Sequence, residues 1–287
     1  MNSAVSQIVT NTIIRLIDGG TLPWRSQYFS LDKCNYNRQT PYSTLNQLIL
    51  SESPDRFYLT EKEIKNMNKK HKAGCHKRII TFWKVYEKKT GSTGPDGLPL
   101  VETIPVLKFY NVMGVSDIVD FTPDIVPLDL PERRPVDEFI KRVGATIQVG
   151  GNHTTTVYFP IADVIVTPPF AAFPKIDYWY GSLFRALIDW TGGHQRLPHR
   201  DPVQEEEFGM ESLIREIGSA MLMKAYNLEW EDLAPAAIQR QLAGWKESLS
   251  KRNDLIVTAA SRAEKAVTFL RISNGEPSNI FDLLRGL

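Results

Sequence analysis

The sequence predicts an α+β fold built from two domains. Three observations lead to this expectation: helical apolar periodicity at both ends of the chain, two β-rich segments in its middle, and a proline-rich stretch between those segments. The chain has 287 residues, which is enough for two domains of ordinary size. We therefore expect a first domain at 1–122, a linker at 123–135 and a second domain at 136–287.

The first domain is expected to begin with helices. Apolar residues recur at near-helical spacing over 2–18, and a glycine pair directly afterwards ends that helix. A second helix is expected over 44–50. Thr60 and Glu63 have the spacing of a capping box, in which two side chains each satisfy a backbone amide at the start of a helix.

A long-looped hairpin is expected to follow. Segments 79–86 and 104–112 are rich in β-branched and aromatic residues, as strands are. The Gly/Pro-rich run 91–99 should form the loop between them. Closely spaced prolines over 121–135 remove amide donors and block helix formation, so this stretch is the expected linker.

The second domain should pair a small sheet with a helical half. Its strands are expected at 146–149, 155–159 and 163–166, and its helices at 136–143, 177–190, 207–226, 235–249 and 253–273.

Composition narrows the class of protein. With 42% hydrophobic and 23% charged residues, the chain is typical of a soluble globular protein, and its net charge of +1 demands neither nucleic acid nor membrane as a partner. Cys34 and Cys75 are too few for a disulfide framework, and they are expected to be free thiols. We see no signal peptide and no apolar run of membrane-spanning length, so a cytoplasmic location is expected. Neither a phosphate-binding loop nor a serine elbow is present, and no cofactor is predicted.

A basic segment precedes the aromatic strand that contains Phe82, Trp83 and Tyr86. Its cations are Lys62, Lys65, Lys69, Lys70, Lys72, Lys77 and Arg78. Cations that follow a phosphate backbone, with rings on which bases stack, suit single-stranded DNA. A solvated helix face explains the same charges, and Glu61 and Glu63 dilute them.

A second polar and aromatic group lies upstream. Its members are Trp24, Arg25, Asn35, Asn37, Arg38, Tyr42 and Asn46. These side chains suit contacts with bases and phosphates, but an irregular loop whose Asn side chains bond their own backbone has the same composition. We favour a binding role for Arg25, Arg38 and Tyr42, whereas Trp24 suits the core.

The segment 178–192 resembles a zinc-protease helix that lacks its ligands. A working H-E-x-x-H helix places two His on one face and a Glu base beside the first. The matching positions here hold Arg185, Ala186 and Asp189. Neither two imidazoles nor a proton-accepting Glu is available at these positions, so no catalytic residue is predicted.

Several segments in a fixed order resemble one family, the ArdC-type antirestriction proteins of conjugative plasmids and related mobile elements. The segments are 20–25 (GTLPWR), 35–42 (NYNRQTPY), 72–77 (KAGCHK), 82–84 (FWK), 109–111 (FYN), 180–192 (YGSLFRALIDWTG) and 211–218 (ESLIREIG). The resemblance implies an N-terminal single-stranded-DNA-binding domain and a C-terminal zincin-like metallopeptidase domain. It also implies that Glu216 corresponds to the third metal ligand. The first half departs from the family pattern at Gln39 and Thr40, where a glycine and a basic residue are usual.

The altered helix leads to a hypothesis about the lost metal. Arg185 and Asp189 are four residues apart and share a helix face. We expect the Arg185 guanidinium to replace the metal and bridge Asp189 and Glu216. A surface ion pair of little weight is one alternative. A metal site rebuilt with His194 or His199 is another, and its carboxylates would favour Mn²⁺ or Mg²⁺.

A second group of possible metal ligands lies in the first domain. The spacing of Cys34, His71, Cys75 and His76 does not fit a zinc knuckle, so no metal is expected there.

The resulting expectation is a single-stranded-DNA-binding, antirestriction-like protein of a plasmid, phage or other mobile element, with an inactive peptidase-like domain. The expected DNA-binding residues are Trp24, Arg25, Asn35, Arg38, Tyr42, Asn46, Lys72, Lys77, Arg78 and Trp83. The second domain is expected to contact a host or plasmid protein, and no membrane is involved. The alternatives are a metal-dependent peptidase with a rebuilt site and a protein-interaction module.

Overall fold

The computed structural model describes residues 3–93, 99–123, 136–150, 153–198, 207–273 and 275. Its helices are α1 (Ser3–Asp18), α2 (Thr44–Ile49), α3 (Glu61–Asn66), α4 (Val136–Val143), α5 (Ile176–Trp190), α6 (Met210–Ala225), α7 (Pro235–Lys251) and α8 (Leu255–Ile272). Its strands are β1 (Cys34–Asn35), β2 (Phe57–Leu59), β3 (Arg78–Thr93), β4 (Pro99–Gly114), β5 (Thr146–Val149), β6 (Val157–Phe159) and β7 (Val164–Thr167). The α+β class is confirmed.

The first sheet has the strand order β1-β2-β4-β3 and is dominated by the β3–β4 hairpin. The two long strands pair in antiparallel register from Arg78 opposite Val112 to Lys89 opposite Val101. The expected loop over 91–99 is too long, because Thr93 still pairs with Pro99. Backbone pairing continues there after the apolar pattern has ended, and residues 94–98 lie outside the described part of the chain.

Local signals place the first helices where the sequence predicts them. The hydroxyl of Thr60 accepts a hydrogen bond from the Glu63 amide at 3.3 Å, and the Glu63 carboxylate accepts one from the Thr60 amide at 2.7 Å. This capping box starts α3, as predicted. Beyond the end of α1, Gly20 has φ of +86°, a left-handed conformation that glycine adopts without steric cost.

The second sheet is small and packs against helices. Its order is β5-β7-β6, with β5 parallel and β6 antiparallel to β7. Helices α5 and α6 lie against each other at close range. A side chain at Gly218 would place its Cβ 2.7 Å from Cδ1 of Ile188, so glycine is what lets the two helices approach. This approach sets Arg185 on α5 against Glu216 on α6.

One apolar core includes residues from both halves of the chain. Helix α1 packs on α7 and α8, and the fully buried Trp24 meets Trp245 edge to face, with ring centres 5.6 Å apart. The proline-rich stretch 124–135 falls outside the described residues, so the domain boundary remains a prediction. Over the part of the chain with described structure, we find no helix that is long and apolar enough to cross a membrane.

Candidate functional site

Arg185 lies between two carboxylates in the second half of the chain. Its Nε donates to Oε1 of Glu216 at 3.0 Å, and its Nη2 donates to Oε1 of Glu231 at 3.2 Å. Arg185 is on α5 and Glu216 on α6, whereas Glu231 comes from the irregular segment before α7. Removal from water would raise the pKa of Glu216, but the positive charges of Arg185 and Arg25 outweigh burial and hold that pKa below its usual range.

Arg25 reaches the same two carboxylates from the first half of the chain. Its Nη2 lies 3.4 Å from Oε2 of Glu216 and 3.6 Å from Oε1 of Glu231. Both guanidinium groups also lie over the ring of Trp230, 4.8 Å and 5.5 Å from its centre. We call these five residues, Arg25, Arg185, Glu216, Trp230 and Glu231, the charged centre. The charges of its two cations and two carboxylates sum to zero. Its ion pairs connect segments that are far apart in the sequence.

The predicted bridge from Arg185 to Asp189 is wrong, although its contact with Glu216 is confirmed. Asp189 accepts instead from Nε of Arg215 at 2.6 Å. Arg215 directly precedes Glu216 on α6, so each acidic residue at this helix interface has its own guanidinium. Arg185 therefore finds its second carboxylate in Glu231, a residue that the sequence analysis did not single out.

The arrangement of the described side chains does not fit a metal ion. A metal needs several free lone pairs directed at one point, but guanidinium groups already occupy the carboxylates of Asp189 and Glu216. His194 is exposed, with its Nε2 3.0 Å from the carbonyl oxygen of Pro160, and His199 lies outside the described residues. In the described ranges, no three His, Cys, Asp or Glu side chains converge on a possible metal position.

Four of the expected DNA-binding residues have structural roles instead. Trp24 belongs to the core and Arg25 to the charged centre. The Asn35 amide donates to Glu63 at 3.1 Å, and its oxygen accepts from the amide of Arg38. The fourth, Asn46, is buried and bonded to the backbone of β3. These four side chains lie in the core or are bonded within the fold, and their contact with DNA stays a prediction.

The predicted basic segment is partly neutralised. Arg78 is largely buried and lies near Glu52 and Asp117, at 3.9 Å and 3.6 Å. Lys72 donates to the carbonyl oxygen of Ser116 at 2.7 Å, and Lys77 lies 3.6 Å from a Glu61 oxygen. Lys72 and Lys77 are exposed, so they remain available to solvent, but Arg78 is better explained as an ion-pair partner.

Five expected site residues come together in a cleft of about 820 Å³. They are Asn35, Arg38, Tyr42, Asn46 and Trp83. The other lining residues are Thr40, Pro41, Ser43, Leu45, Ile80, Thr81, Phe82 and Tyr110 from the first half, and Leu197, Val257, Ser261, Glu264, Lys265, Thr268, Phe269 and Ile272 from the second. We call this the interdomain cleft. Lys265 is not among the expected site residues, because an exposed lysine on an amphipathic helix carries no signal of its own.

A backbone feature shapes one wall of the interdomain cleft. Gln39 has φ of 55°, a left-handed conformation that glycine adopts most easily, at the position where the resemblance places glycine. Its side-chain amide donates to the carbonyl oxygen of Tyr36 at 2.6 Å. The tight loop is therefore retained without the glycine, and it presents Arg38 to the cleft.

The hairpin continues the aromatic and basic character beyond the cleft. Residues directly opposite each other in antiparallel strands share a face, so Phe82, Lys84, Tyr86 and Lys108 lie on one face, which we call the hairpin face. The ammonium groups of Lys84 and Lys108 lie 5.1 Å and 5.3 Å from the ring centre of Tyr86. A hydrogen bond from Lys108 and the two positive charges lower the pKa of Tyr86.

Each half of the chain matches a known protein family. Residues 3–113 match the family model of the N-terminal domain of anti-restriction factor ArdC, and residues 134–262 match that of a zincin-like metallopeptidase. A DNA primase TraC from Escherichia coli is 25% identical over 91% of this chain, which spans only 26% of that relative. The protein y4eC from Sinorhizobium fredii is 24% identical, with 93% of this chain and 92% of that protein covered.

Two solved structures share the whole fold. The metal-free crystal structure of antirestriction protein ArdC from plasmid R388 aligns with a TM-score of 0.72 at 24% identity, covering 94% of this chain and 97% of that one. The Mn(II)-bound structure of the same protein aligns with a TM-score of 0.70 at 25% identity over the same shares. With both domain families matched in this order, the chain belongs to the ArdC-type proteins.

Proposed function

We propose that this chain is a single-stranded-DNA-binding, antirestriction-like protein that protects the DNA of a mobile element, and that its peptidase-like domain is not a peptidase. The observation that carries the DNA-binding part is the continuous aromatic and basic surface formed by the interdomain cleft and the hairpin face. The relatives support it, since one is named an antirestriction protein and another a DNA primase.

The chemistry of this surface suits a single strand. Trp83 and Phe82 keep 48% and 41% of their surfaces exposed, so both rings are accessible to a base. Stacking of a base on such a ring contributes about 1–3 kcal/mol. Lys84 and Lys108, which share a face with Phe82, attract phosphates, and each phosphate contact releases a counterion, so binding must weaken as salt rises.

The residues at the H-E-x-x-H positions support a non-catalytic role for the peptidase-like domain. A metallopeptidase needs a Lewis acid to polarise its water and a base to take the proton. In this chain a guanidinium occupies the first ligand position, and the fully enclosed methyl group of Ala186 stands where the base belongs. Arg185 and Arg25 hold the domain together through Glu216 and Glu231, without a metal.

The DNA-binding proposal is tested by fluorescence anisotropy with a labelled 20-nucleotide oligothymidine at 50 and 200 mM salt. We expect wild-type binding that weakens steeply with salt, and a loss of at least about tenfold in the Lys84→Gln, Lys108→Gln double variant. The matched control is Lys141→Gln with Lys251→Gln, which removes the same charge from exposed sites in the second half of the chain. Absence of salt-dependent binding by the wild type would refute the proposal.

The non-catalytic proposal is tested by metal content and proteolysis. After incubation with Zn²⁺ or Mn²⁺ and desalting, mass spectrometry should find far less than one metal per chain, and casein should stay intact. The Asp189→Ala, Glu216→Ala variant serves as the comparison. Stoichiometric metal in the wild type that disappears in this variant would overturn the proposal and establish a rebuilt metal site.

A further inference from the structure

The interdomain cleft has a second wall that comes from the zincin-like half of the chain. We propose that helix α8 is part of the DNA site, and that the cleft holds a short unstacked stretch of single-stranded DNA between the two halves. This inference rests on the proposed DNA binding and deepens it by naming a binding site. The volume of about 820 Å³ lies within the ~300–1,000 Å³ of sites that enclose a small organic ligand, a class that includes a nucleotide.

The two walls each present an unneutralised cation. Arg38 lies on the loop after β1 and Lys265 on α8, and both are exposed. Among the described residues, neither has a carboxylate within ion-pair distance. The one acidic residue that lines the cleft, Glu264, accepts a hydrogen bond from the backbone amide of Thr44 at 3.2 Å. The balance of charge in the cleft is therefore positive, and it suits phosphates that pass between the walls.

Aromatic rings line the same cleft as these cations. Phe82 and Tyr110 pack against each other with ring centres 5.7 Å apart, and Trp83 lines the same cleft. Burial raises the pKa of Tyr110, which the positive charge of Arg38 partly opposes, so its phenol stays protonated at neutral pH. Rings that carry a polar group and stand beside cations favour unstacked bases over an aliphatic ligand.

A further observation points to a missing acceptor. The hydroxyl of Tyr42 is buried at the edge of the cleft and has no hydrogen-bond partner among the described residues. An unsatisfied buried donor costs about 1–3 kcal/mol. Burial also raises the pKa of Tyr42 above its usual range, so the group keeps its proton and remains a donor. A carbonyl or phosphate oxygen of a bound nucleotide would satisfy it.

The structure argues against an added β-strand as the occupant. Strand β3 is at the edge of its sheet, where a peptide would otherwise pair. At the cleft, however, the Asn46 side chain donates to the Thr81 carbonyl oxygen and accepts from the Thr81 amide, both at 2.8 Å. The backbone groups of Thr81 are therefore already paired, and the remaining features of the cleft are rings and cations.

The test uses the full-length protein and the labelled oligothymidine. We expect Lys265→Glu to weaken binding at least about fivefold and to lower the salt dependence by about one counterion. Lys141→Glu is the control, with the same charge change on α4 and no contact with the cleft. Lys265→Arg should restore most of the affinity, and thermal melting should show that all three variants fold.

A second readout reports on the bases directly. Stacking on Trp83 should quench tryptophan fluorescence when oligothymidine binds, and this part of the quenching should vanish in Trp83→Phe. If Lys265→Glu binds like the wild type while Lys84→Gln with Lys108→Gln does not, DNA runs along the hairpin alone and the cleft proposal is wrong. If the wild type does not bind DNA at all, the proposed function itself fails.

Discussion

The charged centre and the interdomain cleft are built from the same kinds of side chain but differ in what holds their cations. In the charged centre, Arg25 and Arg185 lie over Trp230, and each has carboxylate oxygens within 3.6 Å. In the cleft, Arg38 and Lys265 stand beside aromatic rings, and no described carboxylate pairs with them. A guanidinium beside a tryptophan therefore does not identify a binding site by itself. The presence or absence of a fixed carboxylate separates a structural cation from one that is available to a ligand.

The largest effect should come from removing the carboxylate that the charged centre shares. Glu216→Gln keeps the shape of the side chain but leaves two largely buried guanidinium groups with only Glu231 between them. Breaking a buried ion pair from one side costs about 3–5 kcal/mol, and the remaining solvent access and Glu231 reduce this to about 2–3 kcal/mol. Urea denaturation at pH 7 measures the loss of unfolding free energy.

An exposed ion pair provides the control for this variant. Lys175→Gln removes the contact between Lys175 and Glu229, which is 2.7 Å long but half exposed at both ends. Such pairs contribute about 0–1 kcal/mol. Equal losses of unfolding free energy in the two variants would show that the charged centre stabilises the protein no more than a surface ion pair does. The contrast between the charged centre and the interdomain cleft would then fail.

The same variant has a pH signature. The pKa of Glu216 is lower in the folded protein than in the unfolded chain, so the stability that it contributes is present above the unfolded pKa, near 4.5, and is lost as pH falls below it. Between pH 6 and pH 3 the wild type should lose more unfolding free energy than Glu216→Gln. Parallel curves for the two proteins would show that Glu216 has an ordinary pKa.

The eight helices that the structure describes, the hairpin and the small second sheet could be predicted from the sequence, but the short strands β1 and β2 and part of each site could not. The helices and the capping box follow from local periodicity and spacing, which neighbouring residues decide among themselves. Arg185 and Glu216 were paired because a family pattern relates their two helices. Glu231 and Lys265 could not be found in this way, because their positions depend on tertiary packing. Packing brings the irregular segment that contains Glu231 close to α5, and it brings α8, which contains Lys265, close to the first half of the chain.

Long-range packing also explains why some predicted DNA-binding residues are bonded within the fold. Asn46 and Arg25 have the residue types of a DNA site, but their partners are Thr81, 35 residues away, and Glu216, 191 residues away. A sequence motif records which side chains are present, whereas their availability depends on long-range partners. Of the ten predicted DNA-binding residues, five line the cleft, and two of these, Asn35 and Asn46, are already bonded within the fold.

A smaller effect on stability is expected at Lys33. This cation is buried like those of the charged centre, but like those of the cleft it has no described carboxylate as a direct partner. It is fully buried, and its Nζ donates to the carbonyl oxygens of Ser53 and Asp55 at 2.6 Å and 2.8 Å. Backbone carbonyl oxygens therefore bind this ammonium group, whereas carboxylates bind the guanidinium groups of the charged centre. Burial lowers the pKa of Lys33 to about 8, an effect that the negative charges of Asp32 and Asp55 offset only in part.

The folded pKa of Lys33 therefore lies below that of the unfolded chain, near 10.5. Between these values the unfolded chain holds more protons, so stability rises with pH, whereas below pH 8 the full cost of the buried charge applies. From pH 8 to pH 9.5 the wild type should gain about 1–2 kcal/mol relative to Lys33→Met, which has no charge to titrate. Urea denaturation of both proteins measures this difference, and because Tyr42 and Tyr58 are common to both, their titration cancels. If the difference in unfolding free energy between the two proteins stays constant across this range, the pKa of Lys33 is not lowered. The carbonyl groups would then stabilise the buried ammonium as well as carboxylates do.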